Sequence, residues 1–201
     1  MKYDDASWHS GGNFPKDLPP DAAFTHTGLY LAWAVLADLG SKELQDDFEE
    51  ELAKLSARLT PPCQVYRAID GKLTDEDLSD EGNAFTKAYF DFEAGQYLKD
   101  YGQILCEGLP TMYHVADIWE NYERLKPILD SRLAAWRAME LSANDEWSRC
   151  EVVCCAGGPI GSTRLENHLL RRHRPAKGWW CLSGLLAGPS GVRGNIPLRE
   201  F

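Results

Sequence analysis

What this chain lacks narrows it first. No run reaches the roughly 18 apolar residues that a bilayer-spanning helix requires. The longest candidate, GLYLAWAVLADLG, carries Asp38 and stops at Gly40, so no membrane span is expected. The opening residues MKYDDASWHS are acidic and aromatic, without the basic start and apolar stretch of a secretory signal, and a cytoplasmic location is expected. Thiols stay reduced there, so the six cysteines read as buried hydrophobes, metal ligands or reactive groups before disulfides. No segment sustains a period-two alternation, which argues against a sheet-based fold. No glycine-rich turn precedes Lys-Ser or Lys-Thr, and no Gly-x-Ser-x-Gly is present; a phosphate loop and a serine-hydrolase elbow are both excluded.

Basic residues are scarce over most of the chain. Residues 1–140 hold 13 Lys+Arg against 26 Asp+Glu, whereas residues 141–201 hold 8 against 5. An acidic body repels nucleic acid and membrane surfaces and attracts basic partners. A solvated acidic face is the plainer use of the same residues.

What is present is mostly helical period. With 201 residues, 44% hydrophobic and 11% aromatic, the chain has material for a well-packed core. Turn-rich text from Met1 to Pro20 contains Tyr3, Trp8 and Phe14, and predicts an extended arm packed on the body. Thr25 or Thr27 opens a central helix with Leu29, Ala32, Trp33, Leu36 and Leu39 on one spacing, ended by Gly40. Ser41 caps a second, carrying Leu44, Phe48, Leu52, Leu55 and Leu59 on one face and acids on the other until Pro61. A short helix follows from about Pro62, then a turn at DGK. TDEDLSDEGNAF fails as a calcium loop, because Asp80 and Thr86 stand where Gly and Glu are needed; Thr74 with Asp77 reads as a helix cap instead. Phe85, Ala88, Tyr89 and Phe92, then Tyr97, Tyr101, Ile104 and Leu105, continue as helix with a break at Gly95. Thr111 opens the last pattern, Val115, Ile118, Tyr122, Leu125, Leu129, Leu133 and Trp136, with Pro127 as a kink or break. The expected core is Leu29, Trp33, Leu36, Phe48, Leu52, Phe85, Tyr89, Tyr122, Leu129 and Leu133.

The expected fold class is therefore mainly α: a compact multi-helix domain with an extended N-terminal arm and an irregular C-terminal appendage. The acidic helical domain is placed at 1–141 and a basic Gly/Pro/Arg-rich tail at 142–201.

MKYDDASWH, GGNFPKDLPP, THTGLYLAWAVL, DGKLTDEDLSDEGNAF and LPTMYHVADIWENYERLKPILD together resemble a small family of bacterial proteins for which no reaction is established; the likeness covers about residues 1–140 and ends past Ser142. Such short, acidic, cytosolic proteins look like the immunity proteins that accompany secreted toxins. The resemblance thus implies a binding protein.

Two constellations carry chemistry. Asp4, Asp5, His9, His26, His114, Asp117 and Glu120 form the first, with His114, Asp117 and Glu120 spaced to share a helical face. Imidazoles and carboxylates of this kind bind a metal or supply an acid and a base, although no second His/Glu pair completes a di-metal bundle site. Cys63 and Cys106 fall among apolar neighbours and read as core thiols. The second constellation is Cys150, Cys155, His168 and His173, whose intervals of four, twelve and four residues fit a closed Cys2His2 zinc site, with Cys154 able to replace Cys155. AGGPIG is poor material for a finger hairpin. A loosely ordered extension with adventitious cysteines is the competing reading.

The functional expectation is a cytosolic inhibitor of immunity type. It would neutralise a protein toxin through an acidic surface containing Asp46, Asp47, Glu49 and Glu50. The alternative is a metal-dependent hydrolase using His9, His26 and His114 with nearby carboxylates. No cofactor is expected beyond zinc in the tail, and neither membrane nor nucleic acid is expected as a partner.

Overall fold

Seven α-helices and one two-stranded sheet make up the described part of the computed structural model, which comprises residues 1–12, 14–91 and 95–154, with side chains to residue 142. The helices are α1 Thr25–Leu36, α2 Lys42–Asp47, α3 Glu49–Ser56, α4 Gln64–Ala68, α5 Asp80–Tyr89, α6 Tyr97–Leu105 and α7 Trp119–Cys154. The mainly α class is as expected. No helix among the described residues is long and apolar enough to cross a membrane.

α1 is the centre of the packing. Leu29, Tyr30, Leu31, Ala32, Trp33 and Ala34 are all buried, so apolar contacts surround it rather than line one stripe. It needs no threonine cap, because a 3₁₀ turn at Pro20–Phe24 feeds it with Phe24 already helical (φ −83°, ψ −18°). Thr25 and Thr27 are instead buried. Around α1 stands an aromatic cluster in which Tyr30 lies 5.0 Å from Tyr97 and 4.6 Å from Phe90, and Trp33 lies 5.7 Å from Phe85. Such offset and tilted pairs add to area burial by about 0.5–1.5 kcal/mol each.

Gly28 sets how closely α4 approaches. A Cβ there would stand 2.5 Å from Cys63 Cβ and 2.6 Å from its Sγ. Gly28→Ala would gain about 0.5–1 kcal/mol of helix propensity, but the overlap should cost more, so a net loss of about 1–3 kcal/mol is expected. Urea denaturation measures it; a stabilised variant would show that Cys63 yields freely.

The expected second helix is two. Ser41 caps α2 through its hydroxyl, 3.0 Å from the Leu44 amide, but the backbone breaks at Phe48 (φ −125°, ψ 32°) and α3 starts afresh. Left-handed residues end the helices earlier than their apolar spacing implies: Asp38 (φ 60°) stops the chain after α1 and Arg58 (φ 56°) after α3. Leu59, expected inside, lies past the end of α3 and is consequently exposed; Leu36, also expected inside, is the last residue of α1 and is exposed too, and Leu39 is buried from a loop instead. Phe48 is only half-buried against the core; the other expected core residues are buried.

The sheet was not expected. β1 Lys2–Asp5 pairs antiparallel with β2 Lys72–Thr74, in register Lys2↔Thr74, Asp4↔Leu73 and Asp5↔Lys72. The register shifts between Lys2 and Asp4, a bulge that breaks strict alternation, and Tyr3, Asp4 and Asp5 are all buried. Asp70 and Gly71, both left-handed, make the DGK turn that delivers β2.

Thr74 and Asp77 form a capping box, but on a 3₁₀ turn; α5 is capped by Ser79, whose hydroxyl takes the Gly82 amide at 3.1 Å. α7 starts only at Trp119, so Val115 and Ile118 precede it and Ile118 is exposed. Pro127 does not end this helix, which continues through Ser142 to Cys154. The expected boundary at 141/142 thus falls within a helix, and residues 155–201 lie outside the described ones.

Candidate functional site

The bulged strand delivers Asp4 to the N-terminal turn of α1. Its carboxylate is fully buried and is met from four directions. Thr27 Oγ1 donates to Oδ2, and Tyr66 Oη, from α4, lies 3.4 Å from the same oxygen. His9, at the end of a 3₁₀ turn Ala6–His9, places Nε2 2.8 Å from Oδ1. His26, in the first turn of α1, places Nε2 3.4 Å from Oδ2. Burial alone would raise this carboxyl's pKa. The neighbouring imidazoles and the Thr27 hydroxyl outweigh it and hold Asp4 well below the usual carboxylate range.

The two histidines are satisfied to different degrees. Tyr113 Oη stands 3.1 Å from His9 Nδ1. In the tautomer that fits both partners, His9 carries its proton on Nε2, donates to Asp4 and takes the tyrosine hydrogen at Nδ1. His26 is 1% exposed, and neither ring nitrogen has a partner of hydrogen-bond geometry, its contact with Asp4 falling just short. Leaving a buried polar group in that state costs about 1–3 kcal/mol. Burial lowers the His26 pKa against the pull of Asp4, so the ring is neutral. The two rings meet edge to face at 4.4 Å. Asp4, His9 and His26 are the group of metal-ligand side chains that the described residues bring together, with ligand atoms all within 4.8 Å of one another.

The other members of the expected constellation are elsewhere. Asp5, one residue on, accepts from Ser7 N at 3.0 Å and Ser7 Oγ at 2.6 Å and pairs with Lys2, which lowers its carboxyl to about 2. It caps the 3₁₀ turn. His114 is not on a long helix with Asp117 and Glu120: it ends a 3₁₀ turn at Met112–His114, with Nδ1 2.9 Å from Thr111 Oγ1 and Nε2 3.5 Å from Asp17. Asp117 accepts from Cys63 N at 3.0 Å and from Arg67 at 2.6 Å, anchoring the start of α4. Glu120 is exposed in the first turn of α7. Sequence reasoning did not find Tyr66 or Tyr113 and took Thr27 for a cap; nothing in their local spacing marks them. Cys63 is buried and Cys106 partly so, and burial pushes both thiols up, Cys63 strongly. Both are protonated core thiols.

Asp46, Asp47, Glu49 and Glu50 are all exposed, and the break at Phe48 divides them. Asp47 lines an open groove of about 560 Å³ shared with Glu43, Asp75, Glu76, Asp77 and Asp80. Asp46 and Glu49 line a second, beside Gln45, Leu52, Ala53 and Ser56. Glu50 lines neither and pairs with Lys54 at 2.6 Å, which lowers its pKa. In the first groove Asp75 meets the N-terminal amine and Asp77 serves the Thr74 cap. Among the described residues no Lys or Arg makes an ion pair with Glu43, Asp47, Glu76 or Asp80.

Of the zinc set, Cys155, His168 and His173 lie outside the described residues; Cys150 falls in α7, and its side chain is not described. One family model matches the chain, over residues 2–115: a domain of unknown function (DUF7832). No curated protein and no solved structure matches it.

Proposed function

Given that the chain belongs to this family, we propose that it is a cytoplasmic binding protein whose acidic grooves receive a basic protein partner. In its finer form, that partner is a bacterial toxin and this protein its immunity-type inhibitor. The reading is carried by the open groove between α2 and the Asp75–Asp80 segment, where Glu43, Asp47, Glu76 and Asp80 converge without an ion pair among the described residues, Asp75 alone meeting the N-terminal amine. A concave surface lined by one sign of charge focuses potential and speeds capture of the opposite sign. The adjacent groove at Asp46 and Glu49 extends the same field. Lysines or arginines of a toxin would find preformed acceptors here, and covering a toxin's basic substrate groove would inhibit it by exclusion.

A gene for a large secreted toxin beside this one is the expected neighbourhood; a metabolic operon would count against inhibition. Cells producing that toxin should survive when this protein is co-expressed. Reversal of Asp46, Asp47, Glu49 and Glu50 to Lys should slow association with the toxin about tenfold at low salt, leave circular dichroism unchanged, and have less effect at high salt as charges are screened. Undiminished association by the reversed variant would place the binding surface elsewhere.

A further inference from the structure

We propose that Asp4, His9 and His26 form a binding site for a divalent first-row transition ion, held between the Nε2 atoms of the two histidines and the carboxylate. This site is separate from the acidic grooves and does not depend on the partner reading.

Geometry and donor chemistry agree. A tetrahedral ion with bonds of about 2.0–2.2 Å separates its ligands by about 3.3–3.5 Å. His26 Nε2 and Asp4 Oδ2 already stand 3.4 Å apart. His26 gains no hydrogen bond of good geometry from this contact, and the spacing is right for an ion to bridge both groups. His9 Nε2, at 2.8 Å from Oδ1, needs to recede by about half an ångström to reach the same spacing. It belongs to a 3₁₀ turn near the surface rather than to the core, where such a movement is least costly. Two neutral imidazoles with one carboxylate suit zinc and its neighbours, whereas magnesium and calcium prefer oxygen alone.

The surroundings support the ion. Thr27 donates to Asp4 Oδ2 and fixes the carboxylate. Tyr113 stands at His9 Nδ1, where a metal-ligating histidine keeps a hydrogen-bond partner. On binding, the His9 proton leaves Nε2 for Nδ1 and is donated to Tyr113 Oη; the Nε2 lone pair turns to the ion and the ring stays neutral. His26 uses a lone pair that otherwise has no partner. Three protein ligands leave one position for water. The ion would tie the arm, through Asp4 and His9, to α1.

The test must set aside the tail, so it uses the full chain with Cys150→Ser, Cys154→Ser and Cys155→Ser, stripped with chelator. Titration with Zn²⁺ by calorimetry should show one ion bound and a rise in Tm. Co²⁺ should give ligand-field bands without the intense sulfur-to-cobalt absorption of a thiolate site. His9→Ala in the same background should weaken Zn²⁺ binding by at least about 100-fold, since loss of a ligand exceeds the 10–100-fold cost of an outer partner. Long-range ¹H–¹⁵N spectra of the background protein, with both histidines intact, should show Nε2 of His9 and His26 shifting on addition of Zn²⁺. Absence of a bound ion, unchanged Nε2 resonances, or equal affinity in His9→Ala would each overturn the site.

Discussion

Trp33→Ala is expected to lower the unfolding free energy by about 3–5 kcal/mol, as aromatic truncations in cores do. Trp33 is 1% exposed on α1, the helix surrounded by the rest of the core, with ring centroids of Tyr30 and Phe85 at 5.6 and 5.7 Å. Its indole N–H donates to Asp130 Oδ1 at 2.9 Å and so links α1 to α7. Truncation removes the ring from a site that aromatic neighbours on α1 and α5 cannot collapse to fill, and also removes the donor. Asp130 keeps Lys126 at 2.5 Å, so most of the loss is packing rather than an abandoned charge. Urea denaturation followed by circular dichroism measures the total. Trp33→Phe, which restores much of the volume without the N–H, should recover more than half. A loss below about 1 kcal/mol for the alanine variant would contradict so tight a packing.

Asp100→Asn should cost about 2–4 kcal/mol near neutral pH, with a pH signature that a packing defect lacks. Asp100 is 3% exposed and receives Arg132 through two nitrogens at 2.8 and 2.9 Å, Tyr89 Oη at 2.8 Å and Gln96 at 3.1 Å. Burial pushes its pKa up, but the hydrogen bonds from Arg132, Gln96 and Tyr89, with the Arg132 charge, hold it below the ordinary value. A depressed carboxylate contributes stability that is complete above its unfolded pKa, about 3.9, and disappears as pH falls through the lower native value. Arg132 is 41% exposed, which moderates the loss below that of a fully buried pair. The gap between wild type and Asp100→Asn in urea midpoint should therefore be widest from pH 5 to 7 and narrow below pH 4. A gap constant from pH 7 to pH 2 would rule out the ionised carboxylate as its source.

How far the fold could be read in advance followed from how local its causes are. Ser41 over Leu44, Thr74 with Asp77, and the turn at Asp70 and Gly71 are decided within four residues, and these emerged as expected. β2 could not be read, because three residues are too few to display a period and its partner begins at Lys2. Leu59 and Ile118 keep the right spacing but lie where the helix has ended or not begun, and Leu36 is the last residue of α1, a matter settled by left-handed backbone at Asp38 and Arg58 and by the late start of α7. The histidine cluster shows the same division. Asp4, His9 and His26 were legible as chemistry, yet so were Asp5, His114, Asp117 and Glu120, and spacing contains no rule for choosing among them. The choice is made by the bulge at β1 and by where the arm docks, both products of tertiary packing.

The pairing of β1 with β2 also orders events in time. It closes a loop of roughly seventy residues for a sheet of only two short strands, so this contact is expected to form after those of shorter span. On that expectation α1 packs against α4 and their neighbours before the chain recruits its own beginning. Asp4 and His9 travel with that late segment, while His26 waits in the early one. The cluster is therefore complete only when the arm has docked: any form of the chain with the arm undocked lacks the Asp4–His9–His26 grouping, however well α1 is packed.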